Sequence, residues 1–242
     1  MALSASDVFA KITDWFYPRV CPGCGEVSDR PGYHLCGDCF RRINLHDQSV
    51  CERCGAPAEG SVAHAFVCGV CRETKPAYDR ARSAGHFQGV LREQVHQFKY
   101  GGALWLKREL ADLLLGCLSA HFSQEAVDVV VPVPLHPVRE RERSYNQAAL
   151  LAEEVASRIG RRCDGRSLVR VKSTQTQTRL DAASRRMNIL GAFAVRRPEW
   201  VSQRCVLLVD DVMTTGSTLA ECARVLKKAG TRTVWAVTVA RG

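Results

Sequence analysis

Two adjacent carboxylates followed by a hydroxyl-rich bend form the most chemically loaded stretch of this sequence. Residues 206–219 read Val-Leu-Leu-Val-Asp-Asp-Val-Met-Thr-Thr-Gly-Ser-Thr-Leu. The four apolar residues, bounded by turn-forming types, describe a strand covered on both faces. Asp210 and Asp211 fall at its carboxyl end, where parallel α/β sheets hold their ligands. Gly216 admits a positive φ and close backbone approach, while Thr214, Thr215, Ser217 and Thr218 supply hydroxyls. The run that follows reads as a helix, whose first N–H groups and positive dipole end seat a phosphate. A pair of anions beside a ring of hydroxyl and amide donors suits a phosphorylated, polyhydroxylated sugar. No Gly-x-x-x-x-Gly-Lys-Ser/Thr occurs, which excludes a P-loop. A solvated Asp-Asp turn with a capped helix would explain a lone Thr-Gly-Ser, but not the whole ordered string.

A second chemical pattern occupies the amino-terminal part. Cys21/Cys24, Cys36/Cys39, Cys51/Cys54 and Cys68/Cys71 are four Cys-x-x-Cys pairs, the spacing that lets two thiolates meet one tetrahedral metal. Gly25 and Gly55 follow the first and third pairs and permit a tight knuckle, and the whole reads as an internal repeat of about thirty residues. The expectation is one structural zinc on Cys21, Cys24, Cys36 and Cys39, and another on Cys51, Cys54, Cys68 and Cys71. A cross-braced pairing, first with third and second with fourth, is the competing geometry. Disulfides are disfavoured, because twelve cysteines without an export signal argue for a reducing compartment. His34, His46 and His64 lie between the pairs as surplus donors and are expected to be solvent-exposed.

The acidic string resembles the type I phosphoribosyltransferase motif for 5-phosphoribosyl 1-pyrophosphate (PRPP). The resemblance implies that Asp210 and Asp211 bind the ribose hydroxyls and that Thr214, Thr215, Gly216, Ser217 and Thr218 hold the 5-phosphate. It also implies Mg²⁺ with PRPP and a transfer at ribose C1, with inversion and release of pyrophosphate. Carboxylates would stabilise the positively charged transition state of that reaction. Arg139, Arg141 and Arg143 follow a strand and Pro132-Val133-Pro134, where such proteins bind pyrophosphate, and could clamp its oxygens in bidentate fashion. They alternate with Glu140 and Glu142, so a solvated turn with weak local ion pairs is an equal alternative. Lys172, with Arg185 and Arg186, could close over the ligand, or belong to a merely polar loop. Lys99 and Tyr100 suggest a base-stacking platform, against the plainer reading of a helix end with its basic residue.

Elements that would position these groups alternate along the chain. Strand character occupies 78–87, 127–133, 169–171, 193–195, 206–209 and 233–239. Helical spacing occupies 90–99, 103–121, 147–159 and 216–228. This alternation predicts an α/β fold with a parallel sheet flanked by helices. A boundary near Lys75-Pro76 gives two parts: 1–75, an amino-terminal helix and a double zinc ribbon, and 76–242, the phosphoribosyltransferase-like domain. The amino-terminal helix would present Val8, Ile12, Trp15 and Phe16 on one face. No segment is apolar for long enough to span a membrane, so a soluble, cytoplasmic protein is expected. The formal charge of +9 falls to roughly +5 once eight thiolates hold two Zn²⁺. That balance is basic but does not by itself establish nucleic-acid binding. Cys117, Cys163, Cys205 and Cys222 lack partner spacing and read as small apolar residues.

The paired cysteines, Phe98-Lys99-Tyr100-Gly101, Arg143-Ser144-Tyr145-Asn146-Gln147, the segment from Arg170 through Lys172, Thr174 and Gln177 to Leu180, and the acidic string occur in one order. That order resembles the ComF family of competence-associated phosphoribosyltransferase-like proteins over nearly the whole chain. The family's usual glycine after the arginine is Ser144 here, which removes an easy positive-φ position. The resemblance implies two functions. One is a PRPP-binding phosphoribosyltransferase. The other is the handling of internalised single-stranded DNA, with competence or recombination proteins as partners and PRPP as a regulator, or without any transferase turnover.

Overall fold

The computed structural model describes residues 18–46, 49–58, 64–172 and 187–242. The expected amino-terminal helix and Thr174, Gln177, Leu180, Arg185 and Arg186 lie outside the described residues. In chain order the zinc-ribbon part carries α1 (Gly37–Arg41) and α2 (Gly69–Thr74). There follow β1 (Arg80–His86), α3 (Gly89–Tyr100), α4 (Lys107–His121), β2 (Val129–Pro132), α5 (Pro137–Arg143), α6 (Gln147–Arg158) and β3 (Arg162–Cys163). The chain continues with β4 (Leu168–Arg170), β5 (Phe193–Val195), β6 (Cys205–Met213), α7 (Ser217–Lys228) and β7 (Thr233–Arg241). Among the described residues the main sheet has the order β1-β7-β6-β2-β3, and every pairing in it is parallel.

Strand alternation explains the layers. Leu207, Val209, Val237 and Val239 point to one face and pack with Leu91, Leu110, Leu151 and Val155 of α3, α4 and α6. Val206, Leu208, Val234 and Ala236 point to the other and pack with Leu219, Cys222 and Leu226 of α7. Both faces are covered, which is why β6 opens on an unbroken apolar run.

Three elements differ from the sequence reading. β6 does not stop at Val209 but runs through both aspartates to Met213, because β7 pairs with it as far as Met213↔Arg241. α5 forms where only a turn is expected, nucleated by Pro137 at its first turn and by the His136 side chain, which accepts from the Val138 N–H. β4 and β5 pair antiparallel as a separate ribbon outside the main sheet.

The zinc-ribbon part grips the free edge of β1. Leu45 bridges to Gly85, the His46 N–H donates to the Ala84 carbonyl at 3.1 Å and the His86 N–H to the Asn44 carbonyl at 2.9 Å. Residues before this bridge (Cys21, Leu35, Cys39) join the α3–α4 core, while those after it (Cys51, Cys54, Cys71) join the α7 core. The module therefore straddles the sheet edge.

Candidate active site and zinc centres

Asp210 and Asp211 sit late in β6, where the pleat sends neighbours to opposite faces. Asp211 is buried and Asp210 half-buried, and the Asp211 N–H donates to Asp210 Oδ1 at 2.9 Å. Lys99, in the last turn of α3, sets its Nζ 2.8 Å from Asp211 Oδ1, with the two side chains 18% and 11% exposed. Burial, reinforced by the Asp211 charge, pushes the Asp210 carboxyl up to about 7. Burial alone would lower Lys99, but the Asp211 carboxylate outweighs it and holds the ammonium above its usual range. The pair is thus one fixed ion pair plus one carboxylate poised to take a proton near neutrality.

The bend after β6 narrows to Gly216, at φ 75°. A Cβ there would clash only with the movable methyl end of Met213, so it is the positive φ that calls for glycine. Thr215 Oγ1 lies 2.8 Å from Ser217 Oγ, and the Ser217 N–H donates to Thr215 Oγ1 at 3.4 Å. The bend is organised by its own hydroxyls and delivers the first N–H groups of α7, a twelve-residue helix, to the space beside Asp210.

The facing wall is cationic. Arg139 and Arg143, one turn apart on α5, both line the cleft. Arg141 projects from another side of α5 into solvent and does not. Arg143 stacks on Tyr100 (guanidinium 4.7 Å from the ring centroid) and donates to its hydroxyl at 3.0 Å. The loop after α5 is tied to the end of α3: the Tyr145 hydroxyl donates to the Phe98 carbonyl at 2.6 Å and Gln147 Nε2 to the Lys99 carbonyl at 3.3 Å. Ser144 takes the left-handed conformation its position demands, at φ 67°, despite carrying a side chain. Asn146 caps α6 by accepting from the Ala148 N–H at 3.0 Å and donates to the Val133 carbonyl at 3.2 Å.

These walls enclose a cleft of about 580 Å³. It brings together Asp210, Asp211, Thr214, Thr215, Gly216, Ser217, Thr218, Arg139 and Arg143. Lys172 lies outside the lining, its Nζ donating to the Leu190 carbonyl at 3.4 Å. Three cations on the lining were not assigned to the site from sequence. Lys99 arrives from α3, Arg92 lies two turns earlier on the same helix, and Arg170 ends β4. Spacing shows only that positions 92, 96, 99 and 100 share one helix face, not that this face meets the aspartates.

The zinc ligands form two sequential groups, Cys21, Cys24, Cys36 and Cys39, and Cys51, Cys54, Cys68 and Cys71, each with its sulfur atoms within 4.8 Å of one another. The cross-braced alternative is not adopted. The donor set fits Zn²⁺: four soft ligands converge, and backbone N–H groups of Gly23 and Cys36 donate to Cys21 Sγ at 3.4 Å, as Cys68 N–H does to Cys51 Sγ at 3.3 Å. Burial would raise Cys21 and Cys51, but those amide donors outweigh it and bring each thiol down to about 7. Each group therefore starts with one thiol disposed to ionise.

The inter-pair histidines behave differently from expectation. His64 is exposed, but His34 and His46 are half-buried. His34 sets Nδ1 3.6 Å from the buried Glu109 of α4, which also accepts from the Leu35 N–H at 3.1 Å. His46 packs on His86 with ring centroids 4.0 Å apart. They dock the ribbon on the second part. The other four cysteines are core residues as expected, with Cys163 half-buried and the rest buried.

Sheet order, acidic strand end, hydroxyl bend and paired-cysteine ribbon together define a type I phosphoribosyltransferase fold bearing a double zinc ribbon. Comparison with known families agrees: residues 12–74 match the double zinc ribbon domain and residues 146–242 the phosphoribosyl transferase domain. Competence protein F of Haemophilus influenzae is 35% identical, over 81% of this chain and 85% of that protein. The DNA utilization protein YhgH of Salmonella typhimurium is 34% identical over 90% and 94%, and competence protein ComFC of Bacillus subtilis 27% over 83% and 81%. The chain belongs to the ComF family. No helix among the described residues is long and apolar enough to cross a membrane.

Proposed function

We propose that the cleft binds PRPP together with Mg²⁺, and that this phosphoribosyltransferase-like protein serves the handling of internalised single-stranded DNA. The observation that carries the first half is convergence. An acidic pair, a hydroxyl bend at a helix start and two arginines one turn apart line one cavity. In this reading the bend and the first amides of α7 hold the 5-phosphate, Asp210 and Asp211 accept from the ribose hydroxyls, and Arg139 and Arg143 grip the pyrophosphate. Arg170, which lines the same cavity, adds a further cation for that polyanion. Asp210 and the ligand's own phosphates are hard oxygen donors of the kind Mg²⁺ takes, since Asp211 is already matched by Lys99. The cation would offset the charge of the departing pyrophosphate.

The second half is supported by the relatives, named for competence and for DNA utilization. Calorimetric titration tests the cleft: Asp210→Asn and Asp211→Asn should each remove PRPP binding while leaving the thermal melt cooperative. Undiminished affinity in both variants would sink the assignment. Pyrophosphate release measured against a panel of bases and single strands would then report whether binding leads to transfer.

A further inference from the structure

A cluster of guanidinium groups occupies the far end of the sheet, where neither the cleft nor the zinc centres reach. β3 is an edge strand, and Arg162 at its start shares one row with Val129, Val206 and Val234. Because all these strands run parallel, that row lies at the end opposite Asp210. The Arg162 guanidinium rests 3.4 Å from the centroid of the Trp200 ring, and that of Arg204 is 5.9 Å from the same ring. The Trp200 N–H donates to the Arg197 carbonyl at 3.2 Å, and the Arg232 N–H to the Arg204 carbonyl at 3.0 Å. Arg161 adjoins Arg162 and donates to the Glu125 carbonyl at 3.0 Å. Two guanidinium groups thus meet one half-buried indole, and Arg161, Arg197 and Arg232 lie on the adjoining backbone.

Their charge is only partly matched. Asp128 pairs with Arg232 at 3.2 Å. Among the described residues no carboxylate pairs with Arg162, Arg197 or Arg204. A plainer purpose, charge placed on an edge strand to block sheet-to-sheet pairing, would account for Arg162. It does not account for Arg197 and Arg204, which precede β6, a strand flanked on both sides. A guanidinium lying flat on an indole has one face covered and its N–H donors spread around the rim, the geometry that meets phosphate oxygens. With Arg204 on the same ring and further arginines on the adjoining backbone, the surface offers more than one such cation, which suits an anion that repeats.

We propose that this arginine surface binds the phosphodiester backbone of a single nucleic-acid strand, at the opposite end of the sheet from the cleft. The proposal rests on the DNA-handling half of the reading above and locates its contact surface. Since Arg162 already covers Trp200, the surface should read backbone and not bases. Binding should therefore be indifferent to sequence and weaken steeply with salt.

Fluorescence anisotropy of a labelled oligodeoxynucleotide, using zinc-loaded full-length protein, tests it. Arg162→Gln with Arg204→Gln should weaken binding about tenfold or more and flatten the salt slope by roughly 1.4, two contacts at about 0.7 each. Arg162→Lys with Arg204→Lys, which keeps the charge, should recover most of the affinity. Lys107→Gln with Arg108→Gln removes equal charge from α4 and should change little. If the glutamine pair at 162 and 204 binds as tightly as the pair on α4, the surface is wrongly placed and the DNA-handling reading survives. If the unmodified protein binds no strand, surface and DNA-handling reading fall together. The PRPP titration judges the cleft independently.

Discussion

Lys99 is the residue whose role changes most between sequence and structure. It closes a helix, as its position suggests, and it also supplies the counter-charge for Asp211 through the 2.8 Å ion pair. With both partners mostly buried, removing one leaves the other charged and without its partner. Lys99→Met should therefore destabilise the fold by about 1–3 kcal/mol, the range for a charge-assisted hydrogen bond and its uncompensated partner. Lys99→Met combined with Asp211→Asn should cost less than the two single changes summed. Denaturant unfolding of the four proteins measures this; strict additivity would mean the ion pair contributes no coupling. The aspartates were legible in sequence because the motif is contiguous. Their lysine was not, because nothing in a local window links position 99 to position 211. The same holds for Arg170, which reaches the cleft only because β4 and β5 form their own ribbon.

At the scale of elements, apolar periodicity located most helices and strands, and the misses have physical causes. β6 overruns its apolar run because hydrogen bonding to nine-residue β7 holds the aspartates in the ladder despite their poor strand propensity. α5 carries Val138 as its one apolar residue after Pro137, so periodicity offers no signal; proline at the start and local capping supply it instead. The loop after α5 shows where sequence reasoning and structure meet. Ser144 occupies the left-handed position from which the family's glycine is missing, and strain of about 1 kcal/mol is the expected cost. Ser144→Gly should accordingly raise stability by about 0.5–1 kcal/mol, less than the full strain because glycine also loosens the unfolded chain. Thermal or denaturant melts check the sign. A destabilised glycine variant would mean the serine side chain contributes more than its backbone costs.

For the whole molecule, the division into ribbon and phosphoribosyltransferase-like part describes sequence better than it describes packing. The second zinc group connects to the bend after β6 through Arg241. Arg241 Nη1 donates to the Cys54 carbonyl at 2.8 Å and lies 3.4 Å from Met213 Sδ, the residue whose methyl group abuts Gly216. Gly55, at φ 68°, sits where a Cβ would come within 2.9 Å of the Ala81 carbonyl of β1. Arg82 donates to the Cys51 and Glu52 carbonyls at 3.2 and 3.0 Å. Zinc should therefore govern the loop as well as the ribbon, and not equally through its two sites. Cys54→Ser should reduce PRPP affinity about tenfold or more, whereas Cys24→Ser, in the group packed on α3 and α4, should do so less. Zinc content by metal analysis and loop protection by amide hydrogen exchange would read the effect apart from any turnover. Equal losses in the two variants would argue that the ribbon acts only as bulk support.

The neighbour of β1 in the sheet is β7, and the Ser83 and Thr238 hydroxyls that join them at 2.7 Å are 155 residues apart in sequence. A nascent chain cannot make that pairing until almost everything between has left the ribosome. Early segments must wait with their thiols uncovered and β1 unpaired, and loop closure over such a span is slow. Metal captured during that interval would give the waiting half a scaffold of its own, so the ribbon would act first as a holding clamp during synthesis and afterwards as a brace.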